Sequence, residues 1–124
     1  MEKRVLIVDD DETITQLLAR LIEDEAGEVV VVAESGIRAI DHLARGSFAL
    51  IFLDLRMPGG DGQSVIDYLA SVKREPKPTV LVLSAVADDN TQLDETVVTA
   101  IIRKPFDPHN IAAVVRRYLG KEPT

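Results

Sequence analysis

No cysteine occurs among the 124 residues, which removes disulfides, thiol catalysis and zinc–thiolate sites. Long apolar runs are also missing. Met1-Glu2-Lys3-Arg4 is followed by only four apolar residues before Asp9, too few for a signal peptide, and no stretch approaches the length of a membrane span. A cytoplasmic protein is expected. Positive charge is in the minority, with 14 Lys and Arg against 21 Asp and Glu and a net charge of −7. That balance argues against direct binding of nucleic acid or of an anionic membrane by this segment. Aromatic residues make only 4%, and neither an internal repeat nor a low-complexity segment interrupts the chain.

What the chain does have is material for one packed domain: 46% hydrophobic and 28% charged residues over a length typical of single domains. Five short apolar and β-branched runs fall at about residues 4–8, 28–33, 49–53, 79–83 and 100–103. Stretches of helical period separate them. The first carries a stripe of Ile14, Leu17, Leu18, Leu21 and Ile22, and the second puts Ile37, Ile40 and Leu43 or Ala44 on one side. The third has Val65, Ile66, Leu69 and Val72, and the fifth Ile111, Val114, Val115 and Leu119. The fourth, between Asp88 and Val98, offers only Leu93, Val97 and Val98, so it should pack least well and move most easily. Asp61-Gly62, Asp88-Asp89 and Asp107-Pro108 supply helix-start signals. Strict alternation of strand and helix predicts an α/β fold, (βα)5, and continuous apolar strands suit a parallel sheet covered on both faces. The domain is expected to span 1–119, with Gly120 to Thr124 a polar tail or the start of a linker.

Charged residues follow three of the strand runs. Asp9 and Asp10 come after Val5-Leu6-Ile7-Val8, Asp54 after Leu50-Ile51-Phe52-Leu53, and Lys104 after Ile101-Ile102. In an open parallel sheet the ligand crevice lies beyond the carboxyl ends of the strands. If these runs are neighbours, the acids share one rim and repel each other unless a proton or metal intervenes, so a divalent cation is implied. A carboxylate beside bound Mg²⁺ can attack phosphorus and form an acyl phosphate. Asp54 suits that role because the proline and glycine loop Met57-Pro58-Gly59-Gly60-Asp61-Gly62 leaves it at an open rim. Lys104 can neutralise phosphoryl oxygens as a point charge, and the Ser84 hydroxyl, closing the fourth strand, can donate to one. Plainer readings also exist. Asp9-Asp10-Asp11-Glu12 reads as a solvated helix-start cluster, Asp54 as a loop cap, and Lys104 and Ser84 as polar strand-end residues. Neither His42 nor His109 is assigned a role.

Together these residues resemble the receiver domain of two-component response regulators. Val8-Asp9-Asp10-Asp11 is similar to the family's acidic pair, and Leu53-Asp54 with Met57-Pro58 and Asp61-Gly62 to its phosphoacceptor and following loop. Ser84-Ala85 matches the hydroxyl switch residue, and Lys104-Pro105-Phe106 the lysine motif. The resemblance covers essentially the whole chain. It implies a flavodoxin-like parallel five-stranded sheet of order 2-1-3-4-5 and a cis bond before Pro105. It further implies that a histidine kinase or phosphotransfer protein donates a phosphoryl group to Asp54, with Mg²⁺ held by Asp10, Asp54 and the backbone carbonyl of Arg56. Asp9 then acts mainly through metal-bound water, and Ser84 and Lys104 bind the phosphoryl oxygens. By the same resemblance the domain is expected to be a signalling element that catalyses its own phosphoryl transfer and slow dephosphorylation and switches the surface around the fourth helix, fifth strand and fifth helix. The resemblance also implies that an unknown output domain or target protein reads that surface, and that a homodimer can form.

One position departs from the family: Ile101 stands where an aromatic usually swings with the hydroxyl residue, so the expected motion is of Ser84 and the fourth helix, with little rotamer change at residue 101. Arg56 and Val86, each two residues beyond a site residue, should overhang the phosphoryl group and control water access. Two other classes compete. Asp9-Asp10-Asp11-Glu12-Thr13 fits the nucleophile motif of haloacid dehalogenase-like phosphohydrolases, with Asp9 as nucleophile and Asp11 as acid/base, but Lys104 follows the late acidic pair instead of preceding it and Asp54 is left without a role. A flavin carrier would want glycine, serine or threonine in the first turn, where this chain is acidic, and more aromatics.

Overall fold

The computed structural model describes residues 4–26, 29–56, 62–72, 76–84 and 93–119. Five strands, β1 (Arg4–Val8), β2 (Val29–Ala33), β3 (Leu50–Asp54), β4 (Thr79–Ser84) and β5 (Ala100–Arg103), form one parallel sheet of order β2-β1-β3-β4-β5. Four helices are present among the described residues: α1 (Glu12–Ala26), α2 (Gly36–Arg45), α3 (Gly62–Val72) and α4 (Pro108–Leu119). The order and parallel sense are those expected, and α4 is the fifth helical stretch of the sequence. None of these helices is long and apolar enough to cross a membrane.

The central strands β1, β3 and β4 are apolar on both faces because both faces are covered. Leu6, Val8, Ile51, Leu53, Val80 and Val82 pack with Ala39, Leu43, Val65, Ile66 and Leu69 from α2 and α3. Their neighbours Val5, Ile7, Leu50, Phe52, Leu81 and Leu83 pack with Leu18, Ile22, Ile111, Val115 and Leu119 from α1 and α4. Each fully buried aliphatic side chain contributes about 1.5–3 kcal/mol. That anchoring fixes the height of the strand ends, and so the height of whatever residue follows each strand. The edge strands are more open: β5 alternates between half-buried and exposed residues, and Ile101 is 56% exposed.

Several helix faces differ from the sequence expectation. Leu17 is exposed and Thr15 buried, because the α1 stripe runs through Thr15, Leu18 and Ile22, and Thr15 satisfies its hydroxyl by donating to the Glu12 carbonyl at 3.0 Å. In α2 the buried positions are Gly36, Ala39 and Leu43, leaving Ile37 70% exposed and Ala44 exposed. Val72 ends α3 on the surface.

Of the helix predicted between Asp88 and Val98, residues 88–92 lie outside the described residues. From Leu93 onward the chain makes a turn over Glu95–Val97 and no helix. The Asp94 side chain there accepts from the Thr96 amide at 2.9 Å and from the Thr96 hydroxyl, a local pattern that competes with helix formation.

Candidate functional site

The carboxyl ends of β1, β3, β4 and β5 bring the chemistry together. Val8 is level with Leu53, so Asp9 and Asp54 leave adjacent strands side by side. Asp54 is level with Leu83, and Ser84 with Arg103, which sets Ser84 and Lys104 at the same rim. The Lys104 amide donates to the Ser84 carbonyl at 2.7 Å, and the Lys104–Pro105 bond is cis, as the resemblance implied. Asp9, Asp54, Ser84 and Lys104 line an open cleft of about 260 Å³ together with Asp10 and Arg56.

Asp9 and Asp54 are oriented by the same local device. The Asp11 amide donates to Asp9 Oδ1 at 3.0 Å, and the Arg56 amide donates to Asp54 Oδ1 at 3.1 Å. Each aspartate ending its strand turns its carboxylate back onto the amide two residues on, leaving Oδ2 for the cleft. Lys104 Nζ reaches both second oxygens, at 3.0 Å from Asp9 and 3.4 Å from Asp54. Asp10 is exposed, and one carboxylate oxygen from each of Asp9, Asp10 and Asp54 lies within 4.8 Å of the others.

The acidic run therefore divides. Asp11 and Glu12 fit the plain helix-start reading, since Asp11 Oδ1 accepts from the Thr13 amide at 2.9 Å and the Ile14 amide at 3.4 Å. That leaves Asp11 capping α1 and not poised as an acid/base. Asp9, with its side chain fully buried, belongs to the rim.

Burial pushes the Asp54 carboxyl above its ordinary value, and the neighbouring Asp9 charge adds to that; the Arg56 amide and Lys104 oppose the rise without cancelling it. Burial works against the charged form of Lys104, but its hydrogen bond to Asp9 and the charges of both acids hold the ammonium above its ordinary value. Three clustered carboxylates with one ammonium leave excess negative charge, the condition a hard divalent cation with oxygen ligands relieves. The donor set is compatible with a metal site.

Two contributions were not read from the sequence: the amides of Asp11 and Arg56 that fix the two acids, and the close approach of Gly62 to the Asp54 carbonyl. The signal for the first is an aspartate at a strand end followed by a non-helical residue, a pattern too common to single out. Val86, Ala85 and the loop 57–61 lie outside the described residues.

Comparison with known proteins agrees with this geometry. The family model described as response regulator receiver domain matches residues 5–116. The chain is 30% identical over 122 residues to the sensor protein GacS of Pseudomonas syringae pv. syringae, covering 94% of this chain and 13% of that protein. It is 30% identical over 120 residues to the response regulator Rre1 of Synechocystis sp., covering 95% of this chain and 52% of that one. The chain thus spans about half or less of these relatives. Among solved structures, a CheY-like receiver domain protein from Methanospirillum hungatei superposes with a TM-score of 0.82 at 28% identity, covering 98% of this chain and 97% of the other.

Proposed function

Because the chain belongs to the response regulator receiver domain family, we propose that Asp54 is its phosphoacceptor, receiving a phosphoryl group from a histidine kinase or a histidine-containing phosphotransfer protein. The observation that carries this reading is the convergence of Asp9, Asp54 and Lys104 from three different strands onto one open cleft.

Asp54 is oriented by the Arg56 amide, so a carboxylate oxygen faces an incoming phosphorus without a search over rotamers. That oxygen forms the new bond to phosphorus. The bond to the donor imidazole nitrogen breaks, and the imidazole leaves with the electron pair and takes up a proton. The product is an acyl phosphate, which water later hydrolyses to restore the acid. Lys104, already paired with both acids, offers its ammonium to the oxygens of the transferred group. Ser84 stands at the next strand end and its hydroxyl can donate to the same group.

Asp10, Asp54 and the Arg56 carbonyl would hold Mg²⁺, with Asp9 supporting it through water. Bound there, Mg²⁺ supplies the charge neutralisation that three carboxylates facing a phosphoryl group require.

Signalling follows from the added charge and acceptor oxygens beside Ser84. A hydroxyl drawn toward them favours one packing of the adjoining segment 93–98 and β5 over another. Ile101, exposed on β5, has no ring to relocate, so the readout rests on Ser84 and the backbone segment. An output domain or target protein reads this surface.

Intact-mass measurement tests the proposal, using wild type, Asp54→Asn and Asp9→Asn with Mg²⁺ and acetyl phosphate, before and after a chelator. A phosphoryl adduct that needs the metal and vanishes in Asp54→Asn supports it. An adduct that survives there but is lost in Asp9→Asn assigns the nucleophile to Asp9 and the chemistry to a phosphohydrolase.

A further inference from the structure

Gly62, the first residue of α3, is buried against the strand end that carries Asp54. A Cβ at this position would stand 2.6 Å from the Asp54 carbonyl oxygen, 2.8 Å from Leu55 Cα and 3.2 Å from the Asp54 carbonyl carbon. All three are backbone atoms, so no side chain can rotate away. We infer that Gly62 is a positioning residue for the Asp54 carboxylate, its missing side chain letting α3 start directly on the Asp54–Leu55 peptide unit. The inference rests on the reading of Asp54 as phosphoacceptor.

Neither partner in this contact can retreat as a whole. β3 lies between β1 and β4 with Leu50, Ile51, Phe52 and Leu53 wholly buried, and α3 is anchored through Val65, Ile66 and Leu69. The Gly62 amide also donates to the Leu55 carbonyl at 3.2 Å, tying the helix start to the same turn. Displacement caused by a methyl group is therefore concentrated in the peptide between Asp54 and Leu55. That peptide sets the direction of the Asp54 side chain and the placement of the Arg56 amide that holds its Oδ1. A shift of several tenths of an ångström there turns the carboxylate away from Lys104 and from the incoming phosphorus.

Gly46 shows what a less constrained glycine looks like. A Cβ there would come within 2.5 Å of Arg4 Nη1, the far end of a flexible side chain, and its φ of −163° is extended backbone that any residue adopts. Alanine is accommodated at Gly46 by moving Arg4, at a distance from the acidic rim. The loss of unfolded-chain entropy alone would favour alanine at both positions, so opposite outcomes at the two sites isolate the contact with Asp54.

The experiment compares wild type, Gly62→Ala, Gly46→Ala and Val65→Ala for the rate of phosphorylation by acetyl phosphate at saturating Mg²⁺, with thermal stability measured on each. Val65 is buried on the same helix, so its truncation reports the effect of destabilising α3 without touching Asp54. Gly62→Ala is expected to lower the rate by about a hundredfold, the scale of an ångström-level misplacement of a reacting group. Gly46→Ala and Val65→Ala are expected to stay near the wild-type rate, and the Arg56 amide resonance is expected to move in Gly62→Ala alone. Three results overturn the inference: a Gly62→Ala rate equal to wild type, a loss matched by Val65→Ala at equal stability, or a Gly62→Ala chain unfolded at 10 °C, which would make the glycine a requirement of folding instead. No adduct in wild type would overturn the phosphoacceptor reading itself.

Discussion

Lys104 and Asp9, 95 residues apart in the chain, meet at 3.0 Å across the ends of two intervening strands. The pair spans the cleft, and Asp54 lies within 3.4 Å of the same ammonium. The ammonium thus partly compensates the buried acids, and under the proposed function the same charge is already in place for phosphoryl oxygens.

Removing that ammonium leaves buried carboxylates without their cation. Lys104→Ala is expected to lower stability by about 3 kcal/mol, the lower end for breaking a buried pair, since Lys104 is partly accessible. Urea unfolding at pH 8 in a chelator measures it. A change below about 0.5 kcal/mol, the scale of a surface pair, would show that the pairing contributes little.

The two raised groups both make stability fall as pH rises, Asp54 in the acid range and Lys104 in the alkaline range. Asp54, raised above 3.8, holds its proton more tightly folded than unfolded. Stability therefore falls as pH climbs from 3.8 through the folded value, and the full penalty persists above it. Asp54→Asn removes the penalty, so in a chelator it is expected to be more stable than wild type at pH 7, with the advantage shrinking toward pH 4. An advantage independent of pH would contradict this. Lys104, raised above 10.5, contributes stability that is complete below 10.5 and is lost as pH rises through its folded value. Lys104→Ala should accordingly lose that alkaline transition.

Divalent metal should stabilise the domain through the same acids. At a concentration of one hundred times Kd, binding to the folded state alone adds about 2.7 kcal/mol. Thermal unfolding with and without Mg²⁺ is expected to show a clear rise in Tm for wild type and a much smaller one for Asp10→Asn and Asp54→Asn. Calcium and magnesium raising the Tm of Asp54→Asn as much as that of wild type would place the ion elsewhere.

Arg56 is exposed at the cleft mouth while its amide is committed to Asp54. Arg56→Ala keeps the amide and removes the exposed side chain. It is expected to change the rate of dephosphorylation more than that of phosphorylation, followed by loss of the intact-mass adduct after donor removal. Equal changes in both rates would contradict a role in water access.

Much of this arrangement was legible in the sequence. Leu50-Ile51-Phe52-Leu53 reads as a strand buried on both faces because it is one, and the residue after such a strand stands at the rim. Asp107-Pro108 marked the start of α4, where the Asp107 side chain accepts from the His109 amide at 2.8 Å. Helix faces were less legible. Ile37 and Leu17 fit an apolar stripe by spacing, but Ala39 and Thr15 occupy the inward positions, and small or self-bonded residues carry no hydropathy signal. The stretch 93–98 fails as a helix for a local reason, the Asp94–Thr96 turn, that apolar spacing does not register. The role of Gly62 was hidden because a glycine after Asp61 is accounted for by a helix start, and only the neighbouring backbone shows why a side chain is excluded.

The most direct test of the account locates the phosphoryl group. After reaction with acetyl phosphate and Mg²⁺, hydroxylamine converts an acyl phosphate to a hydroxamate on the residue that carried it, and peptide mass spectrometry identifies that residue. The expected result is a single hydroxamate at Asp54. A hydroxamate at Asp9, or none at either acid while the intact protein carries a phosphoryl adduct, would contradict the assignment.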